Sequence, residues 1–274
     1  MKNIIVRAIT GIICVVIISG AIYYHRYAFG ALFLIITALS ICEFHTFTRR
    51  RELRTVSAIL GIALFLLTFF YASGEGWVGL WTFLPYIILL LSALFVIGLL
   101  LKSDERFKPW MMVLFAQIYC AGSLSLLNFI AFDPQTHAYS PWFVLLVFVF
   151  VWLNDTCAYL IGTAFGRHKM APCISPLKSW EGFFGGLVVV MAAAVAFARY
   201  FTELMSAWQW IAFAAIVVVF ATLGDLVESL MKRSFGVKDS GTLLPGHGGL
   251  LDRLDSVILA IPAVYLFITF FIRN

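Results

Sequence analysis

Runs of about 20 apolar residues recur along almost the whole chain and limit what it can fold into. A helix needs roughly 20 apolar residues to cross the hydrocarbon core of a bilayer, which is about 30 Å thick. Hydrophobic residues make up 62% of the chain and charged residues only 12%, whereas soluble domains are typically about 25% charged. Nine runs are long enough to cross, at about residues 4–24, 28–46, 56–73, 77–101, 110–132, 141–163, 183–201, 208–231 and 253–272. The sequence therefore predicts an all-α integral membrane protein, a polytopic bundle of about nine transmembrane helices that forms a single domain, 1–274.

Positive charge alternates between the segments that connect these runs. If the amino terminus lies in the cytoplasm, only Arg26, Arg199 and Arg273 of the 19 Lys and Arg residues lie on the outer side. Cytoplasmic loops of membrane proteins carry an excess of Lys and Arg. The pattern therefore predicts a cytoplasmic amino terminus and an outer carboxyl terminus. The basic cluster at 45–54 is explained by this topology and by contact with anionic lipid head groups.

The polar residues that need an explanation lie mostly in the second part of the chain, 141–274, whereas residues 1–132 form mainly apolar helices. Asn154 and Asp155 stand inside the sixth apolar run. A carboxylate at such a position costs at least about 2.5–3.5 kcal/mol unless it is solvated, paired or bound to a metal. We therefore expect this pair to bind substrate, and the alternative is a hydrogen bond between helices.

The loop 166–182 combines cationic side chains with helix-breaking prolines. Arg167 and Lys178 supply positive charge, and Ser179 precedes Glu181 just before the seventh run. Ser179 can cap the following helix, whose exposed N–H groups would suit a phosphate. The alternative is an ordinary basic loop that only follows the topology.

Paired carboxylates mark the end of the eighth run and the start of the ninth. Asp225 and Glu228 are three residues apart and Ser229 follows Asp225 by four, so all three share one face of a helix. Asp252 and Asp255 repeat the three-residue spacing. Hard oxygen ligands suit Mg²⁺, which usually takes one or two carboxylates and completes its shell with water and substrate phosphate. The alternative is that these carboxylates form salt bridges with neighbouring lysine and arginine side chains.

A glycine-rich segment, Gly246-His247-Gly248-Gly249, lies between these carboxylates. Glycine adopts backbone conformations that other residues resist and lets N–H groups approach a phosphate closely. Cations and a metal ion together neutralise an oligophosphate and hold the attacking and leaving oxygens in line. The flanking cations are Lys232, Arg233, Lys238 and Arg253. The segment therefore predicts phosphoryl or nucleotidyl transfer at a membrane surface.

The stretch 229–255, SLMKRSFGVKDSGTLLPGHGGLLDRLD, resembles throughout the signature of phosphatidate cytidylyltransferases, also called CDP-diacylglycerol synthases. The resemblance continues upstream through NDTCAYLIGTAFGRHKMAP, SPLKSWEGFFGG and GDLVES and covers roughly 152–256. It implies a multi-pass enzyme of the bacterial cytoplasmic (inner) membrane that makes CDP-diacylglycerol and pyrophosphate from CTP and phosphatidate during phospholipid biosynthesis. The active site would face the cytoplasm, and no nucleic acid would be involved. Potassium as a second cation and a homodimer are further implications.

The resemblance also implies roles for individual residues. The acids of the G-D and D-R-x-D motifs are metal ligands in this family, and here they are Asp225 and Asp252, which would hold Mg²⁺. His247 would assist proton movement, unless it only makes a structural hydrogen bond in the glycine turn. The expected catalytic residues are Lys238, Asp239, His247 and Asp255. The expected substrate-binding residues are Asn154, Asp155, Lys178, Ser179, Glu181, Ser229, Lys232, Arg233, Gly248, Gly249 and Arg253.

Two positions depart from the family pattern, and two other functions stay open. Leu177 and Thr163 stand where related sequences often have basic residues, which removes two potential phosphate contacts. One alternative function is another CTP-dependent lipid enzyme, either a lipid-alcohol kinase or a transferase acting on an ether-lipid phosphate. The other is an ion-coupled transporter that uses the intramembrane acids Asp155, Asp225 and Glu228, although no internal repeat is visible.

Overall fold

The computed structural model of the 274-residue chain describes residues 2–75, 109–243 and 248–273, and this part is overwhelmingly helical. Its α-helices are α1 Lys2–Tyr24, α2 Arg26–Phe47, α3 Arg54–Ala72, α4 Pro109–Ala116, α5 Ser123–Ala131, α6 Trp142–Phe165, α7 Trp180–Tyr200, α8 Ala207–Ser234 and α9 Leu251–Phe271. A 3₁₀ turn, Arg51–Leu53, precedes α3, and a π-helical segment, Gln117–Gly122, joins α4 to α5.

Seven helical segments of the described residues are long and apolar enough to cross a membrane, which confirms the predicted all-α polytopic class. They are Arg26–Phe47, Arg51–Ala72, Met111–Ala131, Trp142–Phe165, Trp180–Tyr200, Ala207–Ser234 and Leu251–Phe271. The first predicted run is also helical, with a shorter apolar part at Ile9–Tyr24. The predicted run at 77–101 lies outside the described residues, so the number of spans and the orientation of the termini remain predictions.

The proline-containing loop after α6 forms a small antiparallel hairpin, with β1 at Lys169–Ala171 and β2 at Ser175–Ser179. Lys169 lies opposite Ser179, and Ala171 lies opposite Ser175. Proline fixes its own φ angle and lacks an N–H donor, so the two prolines of this segment favour an extended turn over a continued helix. The hairpin leads directly into α7.

The described residues group into two compact units that interleave along the sequence. Unit 1 comprises Met1–Leu145 and Met231–Leu254, and unit 2 comprises Leu146–Leu230 and Asp255–Asn274. The prediction of a single domain is not tested by this grouping and stays a prediction.

Aromatic side chains build the core of unit 1. Phe29 and Phe33 of α2 are fully buried, and their ring centroids lie 5.0 Å apart. The Phe69 ring of α3 meets the Phe132 ring edge-on at 5.6 Å. Polar contacts between helices supplement this packing, because Asn128 Nδ2 donates to Thr68 Oγ1 at 2.9 Å. Small and polar residues let membrane helices approach and bond to each other.

The described part of unit 2 has its own aromatic core and a close-packed pair of helix ends. The rings of Phe197 and Trp210 stack at 5.9 Å, and Phe213 contacts Phe150 at the same centroid distance. A Cβ added at Gly224 in α8 would lie within 2.4 Å of a backbone carbonyl oxygen at the start of the unit 2 part of α9. Only glycine therefore permits these two helices to approach so closely, directly beside the predicted metal ligand at 225.

Candidate active site

Asp252 lies in the first turn of α9 and accepts hydrogen bonds on both carboxylate oxygens. Lys232 Nζ donates to Oδ1 at 2.7 Å. The backbone N–H of Ser240 lies 3.0 Å from each of the two oxygens, and the N–H of Gly249 donates to Oδ2 at 2.8 Å. Both side chains of the Lys232–Asp252 ion pair are almost fully buried. Asp252 therefore joins the end of α8, the loop that follows and the start of α9 into one arrangement.

Glu43 of α2 holds the same loop from another side, and the sequence analysis did not predict this. Its carboxylate is buried and accepts from the backbone N–H groups of Leu250 at 2.9 Å and Leu251 at 2.8 Å. The hydroxyl of Ser240 also donates to Glu43, at 3.2 Å. The signal was present in the sequence, because Glu43 is the only Asp, Glu, Lys or Arg in the predicted run 28–46. A carboxylate in such a run calls for a specific partner.

Three glycines of the loop lie against these carboxylates. A Cβ at Gly249 would lie 2.1 Å from Ser240 Oγ and 2.5 Å from Glu43 Oε2. A Cβ at Gly241 would lie 2.8 Å from Glu43 Oε1. Gly248 has a φ of +85° and would place a Cβ 2.8 Å from the Asp252 carboxylate. Glycine is therefore required here by the approach of two acids and, at Gly248, by the backbone conformation.

The other predicted residues of the unit 1 part of the site are on the surface of the unit. Arg233, Lys238, Asp239 and Arg253 are exposed. Arg233 Nη1 donates to the carbonyl oxygen of Val237 at 3.1 Å, which closes the turn after α8. Arg233, Lys238 and Arg253 therefore supply three positive charges that a polyanion can reach from solvent. His247 lies outside the described residues, so its predicted role remains a prediction.

Asp225 of α8 has a comparable arrangement in unit 2. Lys178 of β2 lies 2.7 Å from its Oδ2, and Ser229 Oγ donates to its Oδ1 at 3.2 Å. Lys178 also donates to the carbonyl oxygen of Thr222 at 3.3 Å. This pair is more exposed than the Lys232 pair, with side-chain exposures of 22% and 32%. The structure thus brings Lys178 to Asp225 and Ser229, which the sequence analysis had placed together on one helix face but in a different segment from Lys178.

The hairpin also fixes the start of α7. Ser179 caps this helix as predicted, with its side chain accepting from the N–H of Gly182 at 3.2 Å. Glu181 Oε1 lies 2.6 Å from His168 Nδ1 and accepts a hydrogen bond from the His168 backbone N–H at 3.2 Å. An open hollow of about 880 Å³ adjoins this contact and is lined by Arg167, His168, Lys169, Pro172, Trp180, Glu181 and Phe184. A cationic and aromatic hollow of this kind suits a phosphate head group with an apolar tail.

Asn154 and Asp155 differ strongly in their surroundings within unit 2. Asn154 is buried, and its Oδ1 has no hydrogen-bond partner among the described residues. A Cβ added at Gly186 of α7 would lie 2.6 Å from that oxygen. Asp155 is exposed, and its Oδ1 lies 3.5 Å from Asn154 Nδ2. Their predicted role in substrate binding remains a prediction.

The two predicted metal ligands can each be tested against the chemistry that Mg²⁺ requires. The described residues contain no group of three or more His, Cys, Asp or Glu side chains that could hold a metal alone. Mg²⁺ often relies on one or two carboxylates and takes its remaining ligands from water and phosphate. Asp225 retains acceptor capacity beside its two contacts. Both Asp252 oxygens already accept hydrogen bonds, from Lys232 and from the N–H groups of Ser240 and Gly249, so a metal would share this carboxylate with them. Each carboxylate is of the type that Mg²⁺ uses, and Asp225 and Asp252 remain its predicted ligands.

Comparison with known proteins gives an independent result. The Staphylococcus aureus (strain COL) protein named phosphatidate cytidylyltransferase is 46% identical over 131 residues, which is 48% of this chain and 50% of that protein. Proteins of the same name from Staphylococcus epidermidis (strain ATCC 12228) and Staphylococcus haemolyticus (strain JCSC1435) are each 46% identical over 120 residues, 44% of this chain and 46% of theirs. The chain spans about half the length of the curated relatives it matches. The model of the cytidylyltransferase family, by contrast, matches residues 5–271. This chain therefore belongs to the cytidylyltransferase family, which confirms the resemblance seen in its signature.

Proposed function

We propose that this chain is a membrane-embedded phosphatidate cytidylyltransferase, which converts CTP and phosphatidate into CDP-diacylglycerol and pyrophosphate. The observation that carries the proposal is the buried Lys232–Asp252 pair, around which the signature loop is folded next to exposed cations. The relatives that share 46% identity are named for this activity. The proposal includes a cytoplasmic active site in a bacterial inner membrane, where CTP is available.

The residues of the loop neutralise and orient the phosphates. Lys232, Arg233, Lys238 and Arg253 balance the charge of the oligophosphate or of the lipid phosphate. A phosphatidate oxygen attacks the α-phosphorus of CTP, a P–O bond forms, and the bond to pyrophosphate breaks with the electron pair leaving on pyrophosphate. The nucleophile is already an anion at neutral pH, so no general base is required.

Asp225 and Asp252 are the proposed ligands of Mg²⁺. The bound metal would stabilise negative charge that develops on the phosphate oxygens. Asp239 and Asp255 would orient lysine side chains or contact the metal through water, and Asp255 Oδ1 accepts from the N–H of Ser256 at 2.6 Å. Potassium as a second cation, contact with anionic lipids and a homodimer remain predictions of the resemblance.

The hollow beside the hairpin supports a contribution of Arg167 and Lys169 to binding of the lipid phosphate. Both side chains are exposed, and Trp180 and Phe184 next to them are also exposed. A long-chain phosphate presents both charge and hydrocarbon at the membrane edge, and aromatic side chains are enriched at that depth. Leu177 of the same hairpin is 79% exposed and is not among the residues that line the hollow.

The decisive experiment is turnover by the purified protein in detergent or liposomes. We expect CTP and phosphatidate to yield CDP-diacylglycerol and pyrophosphate only when Mg²⁺ is present, as measured by mass spectrometry. Asp252→Asn should abolish product formation, whereas Glu52→Gln, which alters an exposed carboxylate, should not. Formation of a phospho-lipid with CDP release would identify a kinase and reject the proposal. Equal turnover of ATP and CTP would also reject it, and ion flux without CTP would favour the transporter.

A further inference from the structure

The start of α9 is capped by Glu43 of α2 and not by a residue next to it in sequence. Serine, threonine, asparagine or aspartate before a helix satisfies its first N–H groups at low cost. The two residues before α9 are Gly249 and Leu250, whose side chains carry no acceptor. The acceptor for the N–H groups of Leu250 and Leu251 comes instead from Glu43, more than 200 residues away in sequence.

Burying the Glu43 carboxylate costs free energy, which its hydrogen bonds must offset. Glu43 is only 8% exposed, and no Lys, Arg or His side chain among the described residues forms a salt bridge with it. A buried carboxylate without a cation is expensive, and three hydrogen-bond donors must compensate. The donors are two backbone N–H groups and one hydroxyl, and all of them belong to the segment 240–251.

Glu43 and Asp252 are coupled through shared residues of that segment. Ser240 donates its hydroxyl to Glu43 and its backbone N–H to Asp252. Three successive N–H groups are divided between the two acids, that of Gly249 to Asp252 and those of Leu250 and Leu251 to Glu43. A displacement of the loop away from Glu43 therefore moves the donors that orient Asp252.

From these contacts we infer that Glu43 is a positioning residue of the active site. It holds Ser240, Leu250 and Leu251 so that Asp252 and Lys232 keep the geometry that the reaction needs. The inference rests on the proposed function for its kinetic consequence, and on the contacts of unit 1 alone for its structural consequence. It assigns a role in the reaction to α2, a helix of the mainly apolar amino-terminal part.

The structural consequence is tested by hydrogen exchange of the full-length protein without substrate. Glu43→Gln keeps the size of the side chain but removes its charge, and its amide NH₂ faces donors instead of accepting from them. We expect amides in the segment 248–252 to exchange at least about tenfold faster, because two of their N–H groups lose a charged acceptor. Glu43→Ala should show the same acceleration, so the test does not depend on one variant.

Thr68→Val is the matched control for this exchange measurement. Thr68 is fully buried in the same unit and also contacts a neighbouring helix, through Asn128. The variant should lower the unfolding temperature by loss of a buried interhelical hydrogen bond and leave exchange in 248–252 unchanged. Unchanged exchange in Glu43→Gln, or equal acceleration in Thr68→Val, would overturn the positioning role.

The kinetic consequence is a separate measurement on the same proteins. Glu43→Gln should lower kcat for CDP-diacylglycerol formation about tenfold and raise the half-saturating Mg²⁺ concentration, with the KM for phosphatidate unchanged within about twofold. A smaller folded fraction would lower the apparent kcat but leave the half-saturating Mg²⁺ concentration unchanged, so an unchanged Mg²⁺ dependence would contradict the inference. If the unaltered protein makes no CDP-diacylglycerol, the proposed function fails, and the exchange data still decide whether Glu43 holds the loop.

Discussion

Two lysine–aspartate pairs in this chain have the same length but different burial, and this allows a quantitative prediction. Lys232–Asp252 and Lys178–Asp225 each have an Nζ–Oδ distance of 2.7 Å. The side chains of the first pair are 9% and 6% exposed, whereas those of the second are 22% and 32% exposed. Distance alone would predict equal coupling, so a difference in coupling would measure the effect of burial.

The expected coupling energies follow from the effective dielectric constant around each pair. Two unit charges about 4 Å apart interact by about 1 kcal/mol in water and by about 4 kcal/mol at an effective dielectric constant of 20. Exposed pairs measured by double-mutant cycles typically give about 0.2–1 kcal/mol. We therefore expect a coupling of about 2–4 kcal/mol for Lys232–Asp252 and less than about 1 kcal/mol for Lys178–Asp225.

The single variants should differ in the same way. Lys232→Met leaves the Asp252 carboxylate buried with only backbone donors, and breaking a buried pair costs about 3–5 kcal/mol. At about 2 °C per kcal/mol for a chain of this size, the unfolding temperature should fall by about 6–10 °C. The double variant Lys232→Met/Asp252→Asn should recover part of this loss, since no uncompensated charge remains.

The assay is thermal unfolding of the detergent-purified single and double variants of both pairs, at low and high salt. Salt screens exposed charges over a Debye length of about 10 Å at 0.1 M but reaches a buried pair poorly. Coupling in the Lys178–Asp225 cycle should therefore decline with salt, and coupling in the Lys232–Asp252 cycle should persist. Coupling energies that agree within about 0.5 kcal/mol, with equal salt dependence, would refute the argument from burial.

Three further changes test local contacts by thermal unfolding and activity. Gly249→Ala should destabilise the protein and remove activity, because its Cβ would overlap Ser240 Oγ, whereas Gly20→Ala meets nothing within 4 Å and should be tolerated; equal stability of the two variants would contradict the loop geometry. Ser179→Ala removes the cap of α7 and should cost about 1 kcal/mol, seen as a fall of about 2 °C, and an unchanged unfolding temperature would exclude a stabilising cap. Asn128→Ala should cost about 0.6–1.7 kcal/mol by loss of an interhelical hydrogen bond and should keep its activity, so a loss of turnover would contradict a purely structural role.

The sequence predicted the helical class and most helix positions because apolar length is a direct consequence of bilayer thickness. Deviations occur where local chemistry decides the conformation. The run predicted at 110–132 contains the π-helical segment Gln117–Gly122, in which Gln117 Nε2 donates to the carbonyl oxygen of Ser57 at 2.8 Å. Hydropathy does not distinguish a π-helix from an α-helix, so no apolar pattern could have revealed this segment.

The contacts of the candidate site were predictable only where they are close in sequence. Lys232 and Asp252 belong to one signature, and their salt bridge was the alternative that the sequence analysis gave for the carboxylates. Lys178 and Asp225 were found in separate segments, and only the folding of the hairpin against α8 brings them together. The lone carboxylate of Glu43 in an apolar run indicated a specific partner, but two of its three partners are backbone N–H groups, which residue identity does not reveal.

The structure explains the glycines of the signature by close packing against two carboxylates. Their presence suggested N–H groups that approach a phosphate, yet the N–H of Gly249 donates to Asp252 and the missing Cβ makes room for Ser240 and Glu43. Loss of activity in a glycine variant therefore cannot by itself demonstrate phosphate binding, because the same change displaces both acids. Exchange in the segment 248–252 separates the two explanations: bound CTP should slow it further only if these N–H groups also contact phosphate, whereas Glu43→Gln should accelerate it without any ligand.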